Sequence, residues 1–166
     1  SEEIQKKFHV GYCSNYKELL AKFNLDEQTA ESLGLFDLTG RIVYPFYDKD
    51  GVYKISSRPI DHKDYKSSAE DSKFFKRGLW GWQLVRGTEV YIFEGQHDCM
   101  VAKQAGYQAL AAGGTEITPE GWVELKNNGI ERIVLVPDGD AGGRGWLERM
   151  ARKAPSWVSL EFVVLQ

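Results

Sequence analysis

Val90-Tyr91-Ile92-Phe93-Glu94-Gly95-Gln96-His97-Asp98 and Ile133-Val134-Leu135-Val136-Pro137-Asp138-Gly139-Asp140 are built alike: an apolar run stops abruptly in carboxylates and glycine. Short apolar runs rich in β-branched and aromatic residues, bounded by Gly or Pro, read as buried strands. Around them the chain alternates. Strands are expected at Val90–Phe93, Gln108–Ala111, Arg132–Val136 and Leu160–Leu165, with helices near His97–Ala105, Pro119–Asn127 and Gly143–Lys153. Thr118 is a natural N-cap ahead of Pro119 in the first turn, and Gly129 a natural stop. Strands alternating with helices at this spacing predict an α/β fold, a mostly parallel sheet covered on both faces. Right-handed crossovers place all the strand C-terminal ends along one edge, so the two acidic motifs are expected to meet there.

The first half reads differently. Tyr16–Phe23 and Asp26–Leu33 carry helical spacing, with Asp26 as N-cap and Gly34 as stop. Arg41–Tyr47 and Val52–Ser57 read as strands joined by a hairpin turn at Asp48-Lys49-Asp50-Gly51. Asp61–Arg77 is polar, without periodicity, and is expected to be an exposed irregular segment. Leu79-Trp80-Gly81-Trp82 is expected to tuck that segment back onto the core.

The chemistry concentrates at the strand ends. Asp138 and Asp140 are two residues apart, so in extended backbone both carboxylates point to one side and can reach one ion. Glu94 stands at the matching end of its own strand, and Asp98 falls in the first turn of the following helix, whose positive end favours a carboxylate. Two carboxylates about 5 Å apart at an effective dielectric of ~20 repel by roughly 3 kcal/mol, so such a cluster needs a neutralising cation. Oxygen-only ligands favour Mg²⁺ or Mn²⁺ over zinc, and Mg²⁺ completes its shell with water and substrate phosphate. Between the motifs, Ala112-Gly113-Gly114-Thr115 lies at another strand end and can turn backbone N–H groups and a hydroxyl toward phosphate. Taken singly, Asp-Gly-Asp is an ordinary turn and His97 an ordinary surface or core side chain; the ordered combination carries the metal reading.

The bulk numbers bound the rest. A chain of 166 residues holds one substantial domain with room for a smaller lobe. A net charge of −3 implies no partner by itself, and no apolar run is long enough to span a membrane. Charge is unevenly placed, however. Lys54 to Arg86 holds eight Lys and Arg against four acidic residues, whereas Glu89 to Asp140 holds nine acidic against three basic. A basic lobe ahead of an acidic one suits a protein holding a polyanion beside metal ions. Cys13 and Cys99 lack zinc-ligand spacing and read as reduced thiols of a cytoplasmic protein. The first residue, Ser1, suggests an excised or processed chain.

The two acidic motifs and their spacing resemble the Toprim domain, a Rossmann-like metal-binding fold shared by bacterial-type primases, topoisomerases and several nucleases. Within that group the chain most resembles the RNA polymerase core of DnaG-like primases. Lys7-Phe8-His9-Val10-Gly11-Tyr12, Gly40-Arg41-Ile42-Val43-Tyr44-Pro45-Phe46 with Arg58, and Phe75-Lys76-Arg77-Gly78-Leu79-Trp80-Gly81 resemble that core's smaller mixed α+β N-terminal lobe. The resemblance implies a lobe over residues 1–88 and a Toprim catalytic domain over 89–166. It implies synthesis of short RNA primers on single-stranded DNA from ribonucleoside triphosphates, in the cytoplasm of a bacterial or phage-infected cell, alongside a replicative helicase, fused or separate. Glu94, Asp138 and Asp140, with Asp98, would hold Mg²⁺ or Mn²⁺, Glu94 acting either as ligand or as general base. Arg58, Tyr65, Lys66, Lys76, Arg77, Gly113, Gly114, Thr115 and Arg144 would contact template or nucleotide.

The chain also departs from the family. Ser56-Ser57-Arg58 replaces a Gly-Gly-Arg, no Arg directly follows Asp140, and the family's later acidic motif would lie beyond Gln166. A phosphodiester-cleaving Toprim nuclease and a non-catalytic nucleic-acid-binding module are the competing functions; a response-regulator-like phosphoacceptor leaves the basic lobe unexplained.

Overall fold

The computed structural model describes residues 16–37, 40–48, 51–59, 61, 66–67, 78–113 and 116–163. Two helices open it: α1 (Tyr16–Phe23) and α2 (Glu27–Ser32). Asp26 caps α2 by accepting the Thr29 N–H at 2.6 Å, and Gly34 leaves the helix at φ 64°. An antiparallel sheet follows, in the order β1 (Phe36–Asp37), β2 (Arg41–Asp48), β3 (Gly51–Pro59) and β4 (Lys66–Ser67). The expected hairpin is present, with β2 and β3 paired from Arg41↔Pro59 to Asp48↔Gly51. Its turn residues Lys49 and Asp50 lie outside the described residues.

One expectation fails here. Lys66–Ser67 is not irregular but a short strand, paired with Ser56 and Ser57 of β3. The free edge of β3 supplies its hydrogen bonds, and no local periodicity announces them.

The second sheet is all parallel, in the order β6 (Ala109–Ala111), β5 (Glu89–Phe93), β7 (Arg132–Val136) and β8 (Ser159–Phe162). Helices α3 (Gln96–Gln104), α4 (Pro119–Asn127) and α5 (Ala141–Lys153) make the crossovers. Moving from β5 to β6 and then back past β5 to β7 and β8 puts α3 on one face and α4 and α5 on the other, given right-handed connections. Two apolar cores match that division. One joins Cys99, Met100 and Ala102 of α3 to Phe23, Leu33, Ile42, Tyr44 and Phe46 of the first half. The other joins Trp122 and Leu125 of α4 to Trp146 and Met150 of α5 over Ile92, Ile133 and Leu135.

Trp80 links the halves. Its backbone exchanges hydrogen bonds with Ala111, at 2.9 and 3.0 Å, extending the edge of the parallel sheet. Its fully buried indole donates to the Pro45 carbonyl at 3.0 Å and meets the Tyr44 ring edge-on, centroids 5.6 Å apart. Gln104, at the end of α3, adds a second fastening by accepting the Asp26 N–H and donating to the Asn24 carbonyl. Among the described residues no helix is long and apolar enough to cross a membrane.

Candidate metal and nucleic-acid site

β5 and β7 are neighbours in parallel register, with Phe93 opposite Val136, so the residues that follow leave the sheet side by side. Glu94 turns toward its neighbour: its Oε1 accepts the Asp138 N–H at 2.8 Å. The two motifs are therefore tied directly, carboxylate to backbone.

Asp140 ends the loop as N-cap of α5, its Oδ1 accepting the Gly143 N–H at 2.8 Å. Helix α5 consequently starts at Ala141, two residues before the expected Gly143, because the cap claims the intervening residues for its first turn. Asp140 thus has a structural task besides any ionic one. Gly143 makes the packing possible. A Cβ there would stand 2.1 Å from the Asp138 carbonyl oxygen and 2.7 Å from its nitrogen. No residue with a side chain fits while α5 rests on the Asp138 backbone.

Asp138 and Asp140 are exposed and Glu94 is half-buried. Burial raises the Glu94 carboxyl above its ordinary value; the Asp138 N–H opposes this, while the Asp138 and Asp140 charges raise it further and Arg149 lowers it. Three carboxylates therefore share one electrostatic neighbourhood at the strand edge. Among the described residues no three His, Cys, Asp or Glu side chains close into a cage around a cation. The oxygen-only donors and their mutual repulsion suit a hard divalent ion that keeps water and substrate oxygens in its shell.

Asp98 lies in the first turn of α3, exposed, with its Oδ1 3.6 Å from His97 Nδ1. The His97 ring packs at 56° to the Phe23 ring, centroids 5.1 Å apart, and the Arg58 guanidinium sits 5.3 Å over that same ring. A continuous file of side chains, Arg58–Phe23–His97–Asp98, thus runs from the antiparallel sheet to the acidic edge. Lys66 has its backbone in β4, beside Ser57. Gly113 turns at φ 70° after β6, and Arg144 is exposed in the first turn of α5. Tyr65, Lys76, Arg77, Gly114 and Thr115 lie outside the described residues, as does the Lys7–Tyr12 segment.

Three residues near the edge escaped the reading of the sequence. Gln96, only 4% exposed, approaches Gly113: a Cβ on that glycine would be 3.5 Å from Gln96 Nε2. A polar residue directly after Glu-Gly at a helix start was the available signal. Arg149 ion-pairs with Glu116 at 2.8 Å and reaches Glu94 electrostatically; nothing local distinguishes it from other helix cations. Gly143 was visible only as part of a glycine-rich run. Cys99 is a free, fully buried thiol, pushed up to about 12 by desolvation, which makes it an inert packing group.

Residues 91–165 match the protein family described as Toprim-like. DNA primases of Helicobacter pylori and Lactococcus lactis are 29% and 28% identical to the chain, each aligned over 87% of it. The chain spans 30% and 26% of the length of those two relatives. Among solved structures, a DnaG catalytic core superposes with a TM-score of 0.78 at 19% identity, covering 97% of this chain and 68% of that one. A DnaG primase catalytic domain bound to single-stranded DNA gives 0.74 at 19%, covering 93% and 67%. The Escherichia coli primase catalytic core gives 0.65 at 20%, covering 99% and 64%.

Proposed function

Because this chain has the fold of a DnaG-type primase core, with a Toprim-like domain over residues 91–165, we propose that it catalyses primer synthesis. The reaction would be metal-dependent, template-directed nucleotidyl transfer from ribonucleoside triphosphates on single-stranded DNA, in the cytoplasm. The working division is a basic lobe over residues 1–88 and a catalytic domain over 89–166. The observation that carries this reading is the Glu94–Asp138 link at adjacent parallel strand ends, with Asp140 two residues on as the cap of α5.

Divalent cations bound by Glu94, Asp138 and Asp140, with Asp98, would activate the primer 3′-hydroxyl and neutralise the triphosphate and departing pyrophosphate. The chain's own task is positioning. Glu94 fixes the Asp138 backbone, Asp140 holds the first turn of α5 against it, and Gly143 allows the close approach. Arg58, Lys66, Lys76 and Arg77 would take template phosphates, making binding fall steeply with salt. Tyr65 would stack on a base. The turn Gly113-Gly114-Thr115 and Arg144 would receive the triphosphate. A replicative helicase would be the partner, fused or separate.

The test is incubation of the chain with a single-stranded template, Mg²⁺ and labelled ribonucleotides. Short RNA products that disappear in Glu94→Ala and Asp138→Ala support the proposal. Strand scission without nucleotides would replace it with the nuclease reading.

A further inference from the structure

Helices α4 and α5 lie side by side on the sheet face opposite the first lobe, and the turn after α5 folds back toward them. Between these pieces runs an open groove of about 960 Å³. Its accessible aromatic wall is the half-buried Trp157, above the buried Trp122, and its cations are Lys126, Arg149 and Lys153 against the single acid Glu116. Three positive groups and one negative leave a surplus of two positive charges. Arg149 and Lys153 stand one helical turn apart, on one side of α5, and both ion-pair with Glu116. Trp122 is only 6% exposed and belongs to the core beneath the groove.

We propose that this groove binds a single strand of nucleic acid, with a base against the half-buried Trp157 and phosphates on Lys126, Arg149 and Lys153. Indole faces accept any unpaired base, and cations a turn apart follow a phosphate backbone; together they form a sequence-tolerant single-strand platform. Continuity with the acidic edge favours nucleic acid over an acidic peptide. Helix α5 starts at its Asp140 cap on that edge and carries Arg149 and Lys153 along its length into the groove, so a strand at the carboxylate edge can continue across this face. Glu116 occupies two of the cations while no strand is bound, and phosphate displaces it. The proposal rests on the primase reading for the source of the strand, but not for the chemistry of the groove.

Binding of a labelled single-stranded oligonucleotide to the whole chain, followed by fluorescence anisotropy in metal-free buffer, tests it. Lys126 and Val123 are exposed and away from the carboxylates, Val123 at 57%, so Lys126→Ala and Val123→Glu should leave the fold intact. Each is expected to weaken binding at least fivefold, and Lys126→Ala to flatten the dependence of log affinity on log salt by about 0.7. Glu116→Gln frees both partners and is expected to tighten binding at least twofold. Trp157→Leu should lose part of the tryptophan quenching that the oligonucleotide causes. Unchanged affinity in Lys126→Ala and Val123→Glu, or weaker binding by Glu116→Gln, overturns the proposal. So does loss of polyglutamate binding in the same variants while oligonucleotide binding persists, which would assign the groove to an acidic protein. Groove binding without any primer synthesis would refute the primase reading alone; primer synthesis with unaltered affinity in all groove variants would refute the groove alone.

Discussion

Replacing Gly143 by Ala separates two accounts of the acidic edge. If the glycine were merely a poor helix former in the first turn of α5, alanine would stabilise the chain by about 1 kcal/mol. The geometry demands the opposite. The added Cβ would meet the Asp138 carbonyl oxygen at 2.1 Å, its nitrogen at 2.7 Å and its carbonyl carbon at 2.8 Å. These are backbone atoms, and the Asp138 N–H is already held by Glu94, so neither side yields by rotating a side chain. Either α5 lifts or the loop moves. Overpacking of this kind costs about 1–3 kcal/mol. Displacing the Gly143 N–H from Asp140 adds about 1 kcal/mol of lost capping. Subtracting the propensity gain leaves a net loss of roughly 1–3 kcal/mol, or about 3–10 °C in Tm for a chain of this size. Urea and thermal unfolding followed by circular dichroism measure it directly. Gly139→Ala is the control, since a Cβ there meets nothing within 4 Å. Primer synthesis should fall in the Gly143 variant and persist in the control. A Gly143→Ala chain as stable as the parent, or more so, would refute the close-approach argument.

Other expectations test the remaining parts. Asp140→Asn keeps an N-cap oxygen but removes a charge, so stability should change by less than about 0.5 kcal/mol. Metal affinity, read as the Mg²⁺-dependent rise in Tm, should drop by at least the ~10–100-fold typical of outer-shell losses. For Glu94 the sign follows from its raised carboxyl: its stabilising contribution is full below the ordinary value of 4.5 and is lost as pH rises through the folded-state value. Metal-free Glu94→Gln should therefore gain on the parent as pH climbs above about 4.5 while losing the Mg²⁺ response; parallel pH profiles would sink this. Phe23→Leu is a large-to-small change at a buried site that should cost about 1–2 kcal/mol and remove the ring shared by Arg58 and His97. Weaker oligonucleotide binding by an otherwise stable protein is the expected readout. Trp80→Phe leaves a void in place of the fully buried indole and the Pro45 carbonyl without its partner, for a loss of at least about 1–3 kcal/mol by chemical unfolding.

Much of this molecule was legible from local signals, because strand and helix periods and their terminators are properties of neighbouring residues. The apolar runs ending at Phe93 and Val136, the Thr118 and Asp26 caps, and the alternation after Glu89 all state their roles within a few positions. They also determine that the carboxylates share an edge, since parallel strands joined by right-handed crossovers leave no other arrangement. What the tertiary structure alone decided is what those carboxylates touch. That Glu94 grips the Asp138 N–H depends on a carboxylate meeting backbone across 44 positions, and that Gly143 must be bare depends on how the loop after β7 folds α5 onto the Asp138 backbone. The strand at Lys66–Ser67 exists because β3 offers an open edge, and Arg149 matters because Glu94 and Glu116 come near it. Such facts arise when distant segments close on one another, and hydrophobic pattern, which records only which face is buried, carries no record of them.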